Sequence, residues 1–262
     1  MTHMRLKDKI ILITGSATGI GEAMARRFAA EGARVVIHGL DREAGEAVVM
    51  SLGADKAILH INDLAKPEAA AELVNATIKH YGRLDGLVNN AAYIPRTNLF
   101  TTDAELFDRT MAINVRAPLL LIQAAFPHLK KTQGAVLNIG SVNVYTGEAN
   151  LLPYSISKGA LMTLTRNLAD AHGVDRVRFN QMNLGWVLSA NEDKVQQGLG
   201  KPADWHQHLP KAFAPSGRIL RPEEVAAMAV YWMSDESQII SGTVMEFEQY
   251  PIIGRNPMKE LN

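Results

Sequence analysis

The stretch "LPYSISKGAL" places Tyr154 and Lys158 four positions apart, just after Pro153. On a helix that spacing sets both side chains on one face. A free phenol ionises near pH 10, too high for a good base at neutral pH. An ammonium one turn away favours the phenolate and lowers that value, so the pair reads as a candidate proton donor and acceptor. Taken alone, the same residues are also an ordinary helical turn, with the tyrosine packed and the lysine solvated.

A second stretch, "TGSATGIG" (14–21), follows an apolar run and opens a helical pattern. Gly15 permits a tight turn, Gly19 lets backbone approach a pyrophosphate, and Gly21 lets a helix pack closely on a sheet. The helix N-terminus adds free N–H groups and a positive dipole end. A glycine triplet by itself is also a plain strand-to-helix turn, so the case rests on what surrounds it.

The surroundings are those of an α/β chain. "IILIT" (10–14), "RVVIHG" (34–39), "AILHI" (57–61), "LDGLVNN" (84–90), "GAVLNIG" (134–140), "VRFNQMN" (177–183) and "GTVMEF" (242–247) read as seven buried strands. Between them stand helical patterns with glycine stops and acidic first turns, the longest running over 103–131. Strands alternating with helices predict a parallel, doubly wound sheet covered on both faces. No linker, repeat or composition shift divides the chain, so 1–262 reads as a single domain. Two regions break the rhythm. The polar segment 188–217 follows the sixth strand, where a substrate lid fits. The apolar start of the tail "QYPIIGRNPMKELN" suggests packing on its own domain or on a neighbouring subunit.

Bulk properties exclude several classes. Lys and Arg balance Asp and Glu at 27 each, so no basic field draws nucleic acid or an anionic membrane. The chain has no cysteine, which removes disulfides, thiolate metal sites and a cysteine nucleophile. The polar start "MTHMRLKDK" lacks a secretory pattern, and "APLLLIQAAF" is too short to cross a bilayer. The expectation is a cytoplasmic protein with no metal.

The motifs in order resemble the short-chain dehydrogenase/reductase family over residues 6–247. They are "TGSATGIG", "NNAA" (89–92), Asn114 in "MAINV", Ser141 in "IGSV" and "YSISK". The resemblance implies a Rossmann-type seven-stranded sheet, a nicotinamide cofactor and a catalytic set of Asn114, Ser141, Tyr154 and Lys158. Tyr154 would take the hydroxyl proton as hydride leaves. Lys158 would lower its pKa and hold the nicotinamide ribose. Ser141 would bond the reacting oxygen, and Asn114 would position a relay water. The cofactor would lie along Gly15, Ser16, Thr18, Gly19, Ile20 and Gly21, then Leu40, Asp63, Leu64 and Asn90, with Tyr154, Lys158 and Val187 at the nicotinamide end. Family members also pair their long helices across subunits, which implies a homotetramer.

The family's acidic and arginine selectors fall on Gly39 and Leu40, so neither is present. Thr18 also supplies no cation, which favours NAD over NADP. Ala92 stands where the family has glycine, and Leu184 in "NLGWV" where it has proline. Arg96, Ser141, Asn143, Tyr154 and Trp186 are the candidate substrate residues. Their polarity fits a sugar, sugar acid or polyol, and Arg96, Lys201, His206, His208, Lys211 and Arg255 could meet an anionic group. The alternatives are an NADPH-linked carbonyl or 3-oxoacyl reductase and, more remotely, a nicotinamide-sensing regulator without turnover.

Overall fold

The computed structural model describes residues 4–253, so Arg255 and most of the tail lie outside the described residues. Seven strands form the sheet: β1 (Ile10–Ile13), β2 (Arg34–Gly39), β3 (Ala57–Ile61), β4 (Gly86–Asn89), β5 (Ala135–Ser141), β6 (Arg178–Leu184) and β7 (Val244–Phe247). Their order is β3-β2-β1-β4-β5-β6-β7, and every pair is parallel. The central strands β1 and β4 read as apolar runs because both faces are covered. Ile11 and Ile13 point into one core with Met24, Phe28 and Val230, while Leu12 points into the other with Leu73, Leu121 and Phe179.

The helices are α1 (Gly19–Ala30), α2 (Arg42–Leu52), α3 (Ala69–Tyr81), α4 (Ala104–Met111), α5 (Ala117–Thr132), α6 (Asn143–Thr146), α7 (Leu152–Ala171), α8 (Ala190–Gly198) and α9 (Pro222–Met233). Helices α1, α2 and α9 cover one face, and α3, α5 and α7 the other. Each fully buried Leu, Ile or Phe contributes about 1.5–3 kcal/mol, which makes this double core the main stabilising element. The chain reverses its winding direction between β1 and β4, and ligands bind such sheets at that crevice.

Two elements differ from the sequence expectation. The long helix over 103–131 is interrupted by a π turn at Ala112–Arg116, where the Ala117 N–H reaches back to the Ala112 carbonyl. Within that turn stands Asn114, whose buried amide is tied to Tyr93 and Ser157 outside the helix. The segment 188–217 carries helix α8 and a small core of Trp205, Ala214 and Ile219 packed with Trp186, Leu188 and Leu209. Its stems are joined at the base, with Leu188 N–H donating to the Leu220 carbonyl at 2.8 Å and Leu220 N–H to that of Trp186 at 3.0 Å. Among the described residues no helix is long and apolar enough to cross a membrane, and no cluster of His, Cys, Asp and Glu could hold a metal.

Candidate active site

Helix α7 begins with Pro153 in its first turn, where a missing N–H costs nothing. Its inward face carries Pro153, Ser157, Lys158, Leu161 and Thr165, which fixes Lys158 against the sheet. The Lys158 ammonium donates to the Ile139 carbonyl at 2.7 Å and lies 5.5 Å from the centre of the Tyr154 ring. Ser141, at the end of β5, accepts from the Asn143 N–H at 3.2 Å and shares a hydrogen bond with the Tyr154 phenol. Asn114 accepts from the Tyr93 N–H at 2.7 Å and donates to the Tyr93 carbonyl at 2.9 Å and the Ser157 hydroxyl at 3.0 Å. Its side chain is therefore fully used in holding the β4 loop to α7.

Burial sets the electrostatics of this pair. Burial pushes Tyr154 up to about 12, the Ser141 hydrogen bond works against that rise, and the Glu192 charge adds to it. Burial also pushes Lys158 down, to about 8, so at neutral pH it remains an ammonium beside the ring. Spacing foresaw the proximity of the two groups. It carried no information on how dry their surroundings are.

These residues wall a cleft of about 870 Å³ at the carboxyl edge of β4, β5 and β6. Ile20, Asn90 and Ala92 line this cleft together with Arg96, Asn143 and Trp186. Ala92 keeps a negative φ, so the Cβ in place of glycine brings no backbone strain. The glycine loop fits a dinucleotide. Gly15 and Gly19 take φ of +62° and +61°, and a Cβ on Gly15 would stand 2.9 Å from the Ala91 backbone. A Cβ on Gly21 would enter the Gly15 carbonyl. Thr18 makes no side-chain cap, so the first N–H groups of α1 are left for an anion.

Other predicted cofactor residues stand around that loop. The Asn90 amide donates to the Thr14 and Gly15 carbonyls at 2.9 and 3.0 Å, which pins the loop across the switch point. Val187 pairs with Leu220, and Leu40 is exposed after β2. Asp63 and Leu64 follow β3, with the Asp63 carboxylate accepting from Ala65 N–H. Ser16 departs from expectation: it is fully buried, and its hydroxyl donates to the Ile13 carbonyl and accepts from the His38 N–H. That hydroxyl belongs to the scaffold and offers nothing to a ligand.

Sequence reasoning missed three residues. His38 lies buried beneath the glycine loop, where its Nδ1 accepts from the Gly15 N–H at 3.1 Å and its Nε2 faces Asn62. Burial holds it at about 4, so it is neutral. Ser189 caps α8 and stands over Gly19, 3.7 Å from where a Cβ there would lie. Glu192 projects into the cleft and takes hydrogen bonds on one oxygen from Trp186 Nε1 (3.0 Å) and Gln196 Nε2 (2.6 Å), with Arg96 at 3.5 Å. The pattern Ser189-x-x-Glu192 is a capping signature that was legible in the sequence.

Cations expected to meet an anionic substrate are partly engaged already. Arg96 faces Glu192, and the Lys201 ammonium lies over the Trp186 and Trp205 rings at 5.3 and 5.1 Å. His208 pairs with Asp204 outside the cleft, and His206 stacks edge-on against Trp205.

Comparison with known proteins places this geometry among relatives. A family model described as enoyl-(acyl carrier protein) reductase matches residues 15–248. Meso-2,3-butanediol dehydrogenase of Serratia marcescens is 34% identical, covering 91% of this chain and 92% of its own. L-fucose dehydrogenase of Bos taurus is 32% identical over 91% of this chain and 87% of its own. Among solved structures, a 3-ketoacyl-(acyl-carrier-protein) reductase from Brucella melitensis complexed with NADH superposes with a TM-score of 0.82 at 29% identity, covering 93% and 98% of the two chains. A 3-oxoacyl (acyl-carrier-protein) reductase from Agrobacterium tumefaciens C58 with NADP bound gives 0.84 at 25% identity, covering 94% and 95%.

Proposed function

The chain belongs to the short-chain dehydrogenase/reductase family, and on that premise we propose an NAD-linked dehydrogenase of a small polar alcohol, a sugar or polyol in preference to a sugar acid. It is an oxidoreductase acting on CH–OH groups. The observation that carries the reading is the meeting of Tyr154, Ser141 and Lys158 in the lining of one cleft, which Ile20 of the glycine loop also lines.

A bound nicotinamide supplies the hydride acceptor. Gly15, Thr18, Gly19, Ile20 and Gly21 would hold its phosphates, Leu40, Asp63, Leu64 and Asn90 its adenosine half, and Val187 with Lys158 its nicotinamide half. Tyr154 moves the proton at the reacting oxygen, and the Ser141 hydroxyl fixes that oxygen beside it. In the resting site Tyr154 is a phenol, ready to donate in the reductive direction. Holding it as phenolate for alcohol oxidation works against its burial. The Lys158 ammonium, 5.5 Å from the ring, is the protein's own charge for offsetting that burial. Asn114 keeps α7 and the β4 loop in register, so any relay water rests on groups other than its side chain.

Two features support a neutral polyhydroxyl substrate. Asn143 and Glu192 offer hydrogen bonds in the cleft, and Arg96 is matched by Glu192. The preference for NAD rests on Gly39 and Leu40, which present neither carboxylate nor guanidinium, and on Arg42, which pairs with Glu46 along its own helix. A second reading, an NADPH-linked 3-oxoacyl reductase, draws on the likeness to two acyl-carrier-protein reductases, one of them with NADP bound. The same proposal takes 188–217 as a substrate lid on a single domain, and the enzyme as a cytoplasmic homotetramer. Leu119 on α5 and Ile156 on α7 are apolar and exposed, as an assembly through those helices requires.

The test is a screen of polyols, sugars, sugar acids and hydroxy acids with NAD and NADP, read as reduced-cofactor absorbance. Turnover of a neutral polyol or sugar with NAD is expected. Tyr154→Phe is expected to lose about 10²–10⁴-fold in kcat while cofactor affinity holds within threefold. Tighter NADPH than NADH, with turnover of a 3-oxoacyl thioester, would replace this reading with the second.

A further inference from the structure

Gly185 follows β6 at the nicotinamide end of the cleft, yet its φ lies outside the left-handed region, so its backbone does not require glycine. The reason for glycine is a side chain from the far end of the sequence. A Cβ built on Gly185 would fall inside the carboxylate of Glu248, the residue after β7. That carboxylate accepts from the Trp186 N–H at 3.1 Å on Oε2 and from the Gln249 N–H at 2.7 Å on Oε1. Gly185 N–H in turn donates to the Phe247 carbonyl at 3.0 Å.

Gln249 extends the grip to the other stem of the 188–217 segment. Its Oε1 accepts from the Ser216 N–H at 3.1 Å and the Ser216 hydroxyl at 2.6 Å, and its Nε2 donates to the Arg218 carbonyl at 2.8 Å. Two consecutive residues thus hold both stems, Glu248 the one that enters and Gln249 the one that leaves. Among the described residues Glu248 has no salt bridge, so its charge is committed to backbone N–H groups, where such bonds are strong.

We propose that Glu248 is a positioning residue: with Gln249 it clasps the base of the lid and fixes Trp186 and Val187 against the nicotinamide end, and Gly185 is glycine to admit its carboxylate. The inference rests on the oxidoreductase reading for the ligand, while the clasp itself can be tested in the protein alone.

Two arms separate these. In amide hydrogen exchange on the protein without cofactor, Glu248→Ala is expected to speed exchange of Trp186 and Leu188 at least tenfold, with β5 and α7 unchanged. In cofactor titration by fluorescence, Glu248→Ala is expected to weaken NADH at least fivefold, and Glu248→Gln, which keeps a carbonyl acceptor, less than threefold. Gly185→Ala is expected to match Glu248→Ala in both arms, and the double variant to be no worse than Glu248→Ala alone. Unchanged exchange in Glu248→Ala, or a Gly185→Ala penalty that persists when Glu248 is already alanine, would overturn the clasp. Wild-type protein that binds neither NADH nor NADPH would count against the oxidoreductase reading, with the exchange arm still deciding the clasp.

Discussion

His38 makes the glycine loop depend on pH, and the size of the effect follows from its surroundings. The imidazole is buried, so desolvation dominates and holds it at about 4, against an ordinary 6.5, despite two bonds to Asn62 that favour the charged form. An unfolded chain therefore binds a proton on this histidine between pH 6.5 and 4 while the folded chain does not. Stability from this group is fully present above pH 6.5 and is lost as pH falls toward 4. The slope is about 1.4 kcal/mol per pH unit, and the full loss about 3 kcal/mol. The local consequence is sharper. Gly15 N–H donates to the imidazole Nδ1, so a proton there sets two donors face to face under the phosphate loop.

The assay is urea unfolding of wild type and His38→Gln at half-unit steps from pH 4 to 7.5, with NADH titrations at the same points. Carboxylates that titrate in both proteins cancel in the difference. The wild type is expected to lose about 3 kcal/mol more than the variant between pH 6.5 and 4, and its cofactor affinity is expected to fall in the same window. Parallel stability curves would refute the assignment of a neutral, buried His38.

Two further outcomes are expected. Asn114→Ala removes three buried hydrogen bonds, to Tyr93 N–H, the Tyr93 carbonyl and Ser157; unfolding free energy should fall by about 3 kcal/mol, and a loss under 1 kcal/mol would show that the π turn does not depend on them. Glu192→Gln removes the charge opposite Arg96, so kcat/KM for sugar acids should rise about fivefold relative to neutral sugars, ~1 kcal/mol for an exposed pair. Because the Glu192 charge raises Tyr154, the alkaline limb of the pH–rate profile should move to lower pH in that variant; an unmoved limb would separate Glu192 from the proton-transfer group.

The sequence made the sheet legible because its central strands β1 and β4 are buried apolar runs, while β6, with Arg178, Asn180, Gln181 and Asn183, was legible through the strand–helix alternation. The helices that pack on it read as periodic patterns. What it hid are features with no periodic trace. One extra residue in the helix at Ala112–Arg116 leaves the apolar spacing almost intact, so the π turn is invisible until Asn114 finds its partners. Helix α8 buries little, so no apolar stripe announced it, and its Ser189 cap was the one local sign left to read. His38, Glu192 and Glu248 act through partners far away in the chain, and no local spacing carries that.

The glycines show most clearly where local reading stops. Gly15 and Gly19 have left-handed backbones, and a motif read for its turn geometry finds them. Gly21, Gly39 and Gly185 do not; each is glycine because another group occupies its Cβ position. For Gly21 it is the Gly15 carbonyl, for Gly39 the Ala17 side chain at 2.9 Å, and for Gly185 the Glu248 carboxylate. At Gly39 this bears on cofactor choice. An acid cannot simply be added where the family's ribose-binding carboxylate stands, because Ala17 already fills the approach. On the proposed NAD-linked reading, selectivity for the unphosphorylated ribose comes from the absence of a cation for the extra phosphate, and not from a carboxylate that repels it. An enzyme built that way should discriminate weakly. A Kd ratio between NADPH and NADH of less than about 100 is the expected result; a larger ratio would require a carboxylate acting on the 2′ position, with Asp41 beside its capped helix α2 the nearest in sequence.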